Sequence, residues 1–394
     1  MDALRLTFRR LLTAWGRCFG RRWAWFPLSL VGPIAPLSLI AAWAASQSDA
    51  FSTPTCIQPN VAFWVDVFSR YSSRDFIVHD KEHITRVFEV YHLDGDGEPS
   101  ANQVEWVNAY LKAKYQRVLS NLARGWPPLG NDEHHAVTLF QGEPPTSYLE
   151  AIDNLRVQQG MRDRFRAALV RASFYESIIK RELIIEGVPT ELAILPGVES
   201  GFYLGARSHA GAVGLWQLTP SAAREHSLVV GRYYDERFDV VRSTDAAARI
   251  LRLNYERFGN WPLAMTAYIY GPAGMAEAVS FYGKDFERIY TNFKGPHFGF
   301  ASRNYYAEFL AALQVYRDKE NYFPGIREEI AATPPPGFEP PAPRVARLHY
   351  AVATGSHHAP VHRAMARTHT SGHHSSRRHH NHHHKRHTVV TTRA

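Results

Sequence analysis

Residues 150–330 carry apolar residues at three- and four-residue spacing in one segment after another, and this pattern constrains the fold most strongly. Such spacing places the apolar side chains on one face of a helix. The first and longest helix is predicted from Tyr148 to Gly187, because Pro189 follows and ends helical structure. We therefore expect a mainly α-helical domain over residues 151–330.

Helix start and stop signals divide the rest of this segment. Ser243 or Thr244 offers a hydroxyl that can cap a helix, and Gly259 is a typical helix end. The segment "ASRNYYAEFLAALQVYRD" predicts a last, strongly amphipathic helix. The predicted helices begin near Thr190, Pro220, Ser243–Thr244, Trp261 and Ala301.

Residues 57–150 predict a smaller mixed α/β accessory region. Alternation in "DFIVHD" and "RVFEVYHL" is typical of short strands. The following segment, "HLDGDGEPSANQVEW", spaces four acids in a way that resembles a calcium loop. Pro99 occupies the position where such a loop needs a flexible glycine, so we favour a polar β-turn followed by a helix start.

The N-terminal residues 1–46 predict an export signal or a membrane anchor. Arginines precede an uncharged stretch from Trp23 to Ser46, which ends in small residues that suit cleavage after Ala44. The stretch is also long enough to span a bilayer, so cleavage and retention both stay open. Loss of Cys18 with the leader would leave only Cys56, which excludes an internal disulfide framework.

Residues 333–394 form a proline-rich linker and a tail rich in histidine and arginine, with too few apolar residues to fold. Histidine tracts can bind transition metals, but a disordered basic tail is the simpler interpretation, and we predict no metal site. The formal charge of +8 is concentrated in the leader and this tail. Nucleic acid is therefore not an expected partner, because the leader directs export.

The stretch "LPGVESGFYLGARSHAGAVGLWQL" holds a single acid, Glu199. Apolar surroundings keep a carboxyl protonated near neutral pH, and a protonated carboxyl can cleave a glycosidic bond. The alternative is an ordinary glutamate at a helix end, solvated or paired with Arg207. Trp216 beside Gln217 suits sugar, since an indole stacks on sugar rings and an amide bonds hydroxyls, although Trp216 could equally be a core residue.

Three segments in this order, "GVESGF", "SHAGAVGLWQL" and "AYIYGPAG", resemble the successive motifs of the lytic murein transglycosylases with a goose-lysozyme-like helical domain. The similarity extends over roughly residues 60–320 and is strongest to the membrane-bound type D branch. It implies a lysozyme-like catalytic domain acting on peptidoglycan glycan strands in the periplasm or cell envelope, without a cofactor or metal. Residues 235–237 are interpreted as a structural ion-pair cluster.

The resemblance also implies residue roles. Glu199 would be the only acid/base catalyst, cleaving the bond between N-acetylmuramic acid and N-acetylglucosamine and closing a 1,6-anhydro ring. Tyr268 would orient this glutamate through its hydroxyl, and Tyr305 would close the cleft. The expected substrate-binding residues are Ser200, Ser208, Trp216, Gln217, Tyr268, Ile269 and Tyr305.

One position departs from the family pattern. The third motif usually reads Ala-Tyr-Asn, whereas here Ile269 follows Tyr268. An aliphatic side chain makes none of the hydrogen bonds of an amide. Two alternatives therefore stay open beside the transglycosylase: a murein-binding protein that does not cut, and a hydrolytic lysozyme on the same fold. The peptidoglycan-binding repeats that relatives of this branch carry at the C-terminus are not found in the sequence.

Overall fold

A computed structural model describes residues 50–333, which contain fourteen α-helices and three strands. The predictions for residues 1–46 and for the tail beyond Thr333 lie outside the described residues. The mainly helical class and the smaller mixed upstream segment are confirmed. The α-helices are α1 (Gln58–Ser69), α2 (Ala101–Ala123), α3 (Asn131–Leu139), α4 (Thr146–Asn154), α5 (Arg162–Ile185), α6 (Leu195–Glu199), α7 (Pro220–Glu225), α8 (Val240–Phe258), α9 (Trp261–Tyr270), α10 (Pro272–Tyr282), α11 (Phe286–Asn292), α12 (Phe300–Arg317), α13 (Lys319–Tyr322) and α14 (Ile326–Ala332). The strands are β1 (Asp75–Asp80), β2 (Val87–His92) and β3 (Leu155–Gln159), and short 3-10 turns cover Thr55–Ile57, Thr190–Ile194 and Glu236–Phe238.

The three strands form an antiparallel sheet in the order β2–β1–β3. Successive side chains of a strand point to opposite faces. On β1, Phe76 and Val78 pack into a small core with α2, whereas Ile77 packs into the main helical core. The two strands predicted in this region are confirmed, and the central strand is buried on both faces because each face covers a different core.

The prediction of one continuous helix from Tyr148 to Gly187 is wrong for residues 155–161. Helix α4 ends at Asn154, strand β3 follows, and α5 begins only at Arg162. Leu155 and Val157 pack against the small core while the backbone of β3 pairs with β1. Pairing with a distant strand outweighs the local helical pattern, because the second edge of β1 would otherwise leave buried backbone groups without hydrogen bonds.

Helix α12 differs from its prediction as well. Residues 304–313 are all buried, so this part of the helix is enclosed on every side rather than amphipathic. It contacts α1 and α9 and lies at the centre of the main core. A helix that is surrounded by protein can carry polar groups only where they find partners. Tyr305 is one such polar residue, and its position follows from the burial of α12.

The start of α8 lies four residues before the predicted cap. The Asp239 carboxylate accepts a hydrogen bond from the Arg242 backbone N–H at 2.8 Å and caps the helix. The Ser243 hydroxyl instead donates back to the Asp239 carbonyl at 2.6 Å, and Thr244 bonds within the helix in the same way. The predicted end is confirmed, because Gly259 adopts the left-handed conformation at φ +83°.

The acidic segment before α2 forms a turn. The Arg74 guanidinium donates to the backbone carbonyls of Leu93 at 2.6 Å, Asp96 at 3.2 Å and Gly97 at 3.1 Å. A capping box at Ser100 then starts α2. The predicted helix start is confirmed, and the polar residues before it form a bend that the Arg74 side chain holds through backbone carbonyls.

The upstream region contributes to both cores. Helix α1 packs against α12 in the main core, while the strands and α2 enclose the small core. The boundary between residues 57–150 and 151–330 therefore remains a prediction. Among residues 50–333, no helix combines the length and the apolar character that crossing a membrane requires.

Candidate active site

Glu199 is the last residue of the five-residue helix α6 and lies at a sharp reversal of the chain. Gly201 and Phe202 follow with φ +60° and +56°. Left-handed backbone is uncommon for a residue other than glycine, but the Phe202 side chain is 1 % exposed and its packing holds the conformation. A Cβ on Gly197 would lie 3.2 Å from the Phe202 ring, so this ring packs tightly under α6. The reversal thus fixes the direction in which Glu199 leaves the helix.

The Glu199 carboxyl lies in a poorly solvated environment. Burial raises its pKa from an ordinary value of 4.5 to about 7, and a hydrogen bond from the Tyr305 hydroxyl opposes that rise. Desolvation is the dominant effect, because the charged form loses more hydration than a single hydrogen bond restores. A carboxyl with a pKa near 7 is present in both protonation states at neutral pH, which suits a group that gives and later takes a proton.

Two tyrosines lie beside this carboxyl. The rings of Tyr268 on α9 and Tyr305 on α12 are stacked, with centroids 6.4 Å apart and planes 13° from parallel. Burial, together with the charge of Glu199, raises the pKa of both phenols well above the ordinary value. Both therefore stay protonated at physiological pH and can donate hydrogen bonds.

The hydroxyl groups of these tyrosines have different partners. Tyr305 donates to the Glu199 carboxylate, whereas Tyr268 donates to the backbone carbonyl of Trp216 at 2.8 Å. The Tyr268 hydroxyl thus does not donate to Glu199 in this structure, and the expectation that it orients the acid stays a prediction. Tyr305, expected only to close the cleft, makes the contact instead, because the buried helix α12 brings it directly against the acid.

Trp216 does not line a cleft. Its side chain is 0 % exposed, and the indole Nε1–H donates to the Thr244 hydroxyl at 2.9 Å inside the main core. The prediction that it binds substrate is corrected, because an indole buried on both faces offers no surface to a sugar. The backbone carbonyl of Trp216 still supports the site, since it accepts the hydrogen bond from the Tyr268 hydroxyl.

Ser200 and Ile269 are also packed inside the protein. The Ser200 hydroxyl, 5 % exposed, donates to the Leu215 carbonyl at 2.9 Å and so links the end of α6 to the glycine-rich segment. Ile269 is 8 % exposed and belongs to the main core. Both residues lie close in sequence to the site but meet protein in this structure, so a role toward substrate stays a prediction for each.

Gln217 and Ser208 form hydrogen bonds within the loop over residues 206–217. Gln217 has φ +46°, and its Nε2 donates to the Gly214 carbonyl at 2.8 Å. The Ser208 hydroxyl accepts a hydrogen bond from the Ala212 backbone N–H at 3.0 Å, which closes the loop tip. Both side chains are partly exposed. Of the predicted binding residues, Ser208, Gln217 and Tyr268 are partly exposed, and Ser200, Trp216, Ile269 and Tyr305 are buried.

Arg171 on α5 is part of the site's support but was not predicted. Its guanidinium Nε donates to the Gly201 carbonyl at 2.8 Å, in the turn that follows Glu199. In the sequence it is one basic residue among several on a long helix, and no local signal distinguishes it. In residues 50–333, no group of three or more His, Cys, Asp or Glu side chains is arranged to hold a metal ion.

Comparison with known proteins places this site within a described domain family. Residues 176–288, which include Glu199 and Tyr268, match the transglycosylase SLT domain. Over 111 residues the chain is 39% identical to a protein of Alteromonas sp. (strain M-1) named for tributyltin chloride resistance, and 40% identical to membrane-bound lytic murein transglycosylase D of Escherichia coli K12. These 111 residues are 28% of this chain, and they span 54% of the first relative and 25% of the second.

Two solved structures are also similar. An inactive mutant of the lytic transglycosylase Slt of Pseudomonas aeruginosa matches with a TM-score of 0.31 and 21% identity, over 53% of this chain and 33% of its own. The 70 kDa soluble lytic transglycosylase of Escherichia coli matches with a TM-score of 0.28 and 18% identity, over 55% and 31%. The resemblance inferred from the three motifs agrees with the family match and with the sequence relatives: residues 176–288 of this chain match the transglycosylase SLT domain.

Proposed function

We propose that this protein is a peptidoglycan lytic transglycosylase, which cleaves the β-1,4 bond between N-acetylmuramic acid and N-acetylglucosamine. The observation that carries the proposal is Glu199, a carboxyl with a pKa of about 7 inside the region that matches the SLT domain. The relatives that match over 111 residues include proteins named as lytic murein transglycosylases.

The chemistry needs one carboxyl that acts twice. Protonated Glu199 gives its proton to the glycosidic oxygen, and N-acetylglucosamine leaves. The muramyl acetamido oxygen attacks the anomeric carbon and forms a bond there, so no second carboxylate is required. Glu199, now ionised, takes the proton from the muramyl C6 hydroxyl. The C6 oxygen then displaces the acetamido oxygen and closes the 1,6-anhydro ring, and no water is consumed.

The contacts around Glu199 fit both halves of this cycle. Burial favours the neutral acid before cleavage. The hydroxyl of Tyr305 donates to the carboxylate and stabilises the ionised form after cleavage. Gln217 contacts the sugar in this proposal, and the partial exposure of its side chain supports that role.

We further propose a location and a partner. Residues 1–46 direct the chain out of the cytoplasm, and the protein works in the periplasm or cell envelope, either released or held at the inner membrane. Its partner there is the peptidoglycan glycan strand, and its role is cell-wall remodelling. The basic composition of the leader and its uncharged stretch support export.

The test is digestion of purified peptidoglycan by the full chain, with the products identified by mass spectrometry. Glu199→Gln removes the acid, and Glu225→Gln, at the exposed next acid along the chain, is the matched control. We expect anhydromuropeptides from the wild type and from Glu225→Gln, and none from Glu199→Gln. Reducing ends in place of anhydro sugars would make the protein a lysozyme. Retained binding without any product would make it a murein-binding protein.

A further inference from the structure

A second concave surface lies on the SLT region, away from the Glu199 carboxyl. It is a cavity of about 580 Å³, and ten residues line it. Four of the ten are arginines, two are tyrosines and one is an acid. Carbohydrate alone would not require so many cations, and the charge points to an anionic ligand.

A short hairpin forms one wall of this cavity. Val230 and Asp235 pair as an antiparallel bridge, and the Gly231 N–H donates to the Tyr234 carbonyl at 3.0 Å. The tip therefore has a defined shape, and it presents Arg232 and Tyr233 outwards. The Tyr233 side chain is 93 % exposed and that of Tyr234 is 63 % exposed. Two neighbouring exposed aromatic rings are typical of a surface that contacts a ligand.

One arginine of the cavity is structural. Arg237 is 5 % exposed and forms a bidentate pair with Asp235, with N–O distances of 3.0 and 2.8 Å. Arg242 similarly pairs with Glu236 at 3.3 Å. The prediction of a structural ion-pair cluster at residues 235–237 is confirmed, and the acid of the cavity is fully used by Arg237.

The other three arginines keep their charge available. Arg207, Arg224 and Arg232 are exposed, and within residues 50–333 none of them has a carboxylate oxygen within 4 Å. Arg207 lies over the Phe238 ring at 4.7 Å, and its charge helps to lower the pKa of Asp235. Arg224 donates to the Val230 carbonyl at 3.4 Å, and Arg232 lies over the Tyr233 ring at 5.7 Å. A planar guanidinium group that has no carboxylate partner in the protein can bind the carboxylate of a ligand through two parallel hydrogen bonds.

The cavity is joined to the active site by one continuous segment. Arg237 donates to the Leu218 carbonyl at 3.0 Å, and Gly214 lies so close that a Cβ there would be 2.1 Å from the Arg237 carbonyl oxygen. Gln217 lies between these two positions in the sequence, and its Nε2 donates to the Gly214 carbonyl at 2.8 Å. The same segment is bound to the residue after Glu199, since the Ser200 hydroxyl donates to the Leu215 carbonyl at 2.9 Å, and it carries Arg207 into the cavity lining.

We propose that this cavity binds the free carboxylates of the peptide stems that peptidoglycan carries on its muramyl residues. This inference rests on the proposed function, since it assigns the second part of the same substrate. The uncharged sugar ring lies at Glu199 and Gln217, and the acidic peptide attached to it lies among Arg207, Arg224 and Arg232. The exposed Tyr233 ring covers the apolar part of the peptide.

The test compares two substrates and two full-length variants. One substrate is peptidoglycan with its stems, and the other is glycan strands whose stems were removed by an amidase. The triple variant Arg207→Gln, Arg224→Gln, Arg232→Gln removes the three charges. Arg257→Gln is the matched control, because Arg257 is also exposed and lies over an adjacent ring, that of Phe258, at 5.4 Å.

The measured quantity is the ratio of the cleavage rate with stems to the rate without them. We expect the triple variant to lower this ratio about tenfold, as for the loss of charge-assisted hydrogen bonds, and Arg257→Gln to leave it unchanged. An unchanged ratio in the triple variant would overturn the proposal, whatever happens to the separate rates.

A binding measurement separates this inference from the proposed function. If neither substrate yields anhydro products with the wild type, the proposed function fails, and calorimetric titration with a free stem tetrapeptide tests the cavity alone. Binding that is lost both in the triple variant and when the peptide carboxylates are amidated supports the cavity. Equal binding of the acidic and amidated peptides refutes it.

Discussion

The Tyr305 hydroxyl donates a hydrogen bond to the Glu199 carboxylate across 106 positions of the chain. This contact lowers the pKa of a carboxyl that burial raises to about 7. The two effects oppose each other, and their balance sets the pH at which Glu199 changes from acid to base. Tyr305 is therefore a positioning residue whose removal has a defined consequence.

Tyr305→Phe is expected to raise the pKa of Glu199 further. The alkaline limb of the kcat/KM profile, which requires the protonated acid, then moves to higher pH, while kcat falls because the ionised form loses its donor. Tyr306→Phe is the matched control, since the Tyr306 hydroxyl donates to the Ser52 carbonyl at 2.9 Å. A limb that stays in place, or moves to lower pH, would show that the hydrogen bond does not act on the acid.

Glu199→Gln is expected to stabilise the protein at alkaline pH. The folded-state pKa of Glu199 is about 7 and its ordinary value is 4.5, so the folded state binds more protons than the unfolded state between these limits. The free energy of unfolding of the wild type therefore falls as the pH rises from 4.5 through about 7. A glutamine does not titrate, so the variant does not show this fall. Urea unfolding should show the variant gaining about 2–3 kcal/mol over the wild type between pH 5 and pH 8. Glu225→Gln controls for the loss of a charge, and a constant difference across pH would contradict the raised pKa.

Thr244→Val tests whether Trp216 is a core residue. The variant keeps the shape of the side chain but leaves the buried Trp216 Nε1–H without its acceptor, at a cost of about 1–3 kcal/mol in the free energy of unfolding. KM for glycan should not change. Thr266→Val is the control, because the buried Thr266 hydroxyl donates within its own helix, to Pro262 O at 2.7 Å. A raised KM with unchanged stability would return Trp216 to the binding site.

Gly214→Ala is expected to be far more destabilising than Gly211→Ala. Both glycines are left-handed, at φ +80° and +79°. A Cβ on Gly214 would lie 2.1 Å from the Arg237 carbonyl oxygen, whereas a Cβ on Gly211 meets nothing within 4 Å. An alanine at position 211 should lower the free energy of unfolding by about 1–2 kcal/mol through backbone strain. An alanine at position 214 adds the clash and should lower it by about 4 kcal/mol or more. Equal losses in urea unfolding would show that the contact with Arg237 is not maintained in solution.

Local sequence was sufficient for the features that depend on neighbours along the chain. The apolar residues around Glu199 predicted its desolvation, and Gly259 predicted the end of α8. The helix start of α2 followed from the polar segment around Pro99. In each case neighbouring residues carry a signal that periodicity and capping rules can use, although distant side chains such as Arg74 complete the contacts.

Features that depend on distant pairing were missed. Strand β3 forms because β1 needs a partner 80 residues away, and its own sequence is compatible with a helix. The sequence left Trp216 open as a sugar-binding or a core residue, and only the distant Thr244 and the surrounding core decide for the core. Tyr305 contacts Glu199 because α12 is enclosed on all sides, and no local pattern distinguishes an enclosed helix from an amphipathic one in such a short segment.

The most direct measurement is the titration of the Glu199 carboxyl carbon by NMR, in protein labelled with 13C at its glutamate side chains and assigned by comparison with Glu199→Gln. A carboxyl that titrates with a pKa of about 7 is the predicted result, because it makes Glu199 a proton donor at neutral pH. A pKa near the ordinary value of 4.5 would contradict the assignment of Glu199 as the general acid, since the group would then be ionised before any bond is cleaved.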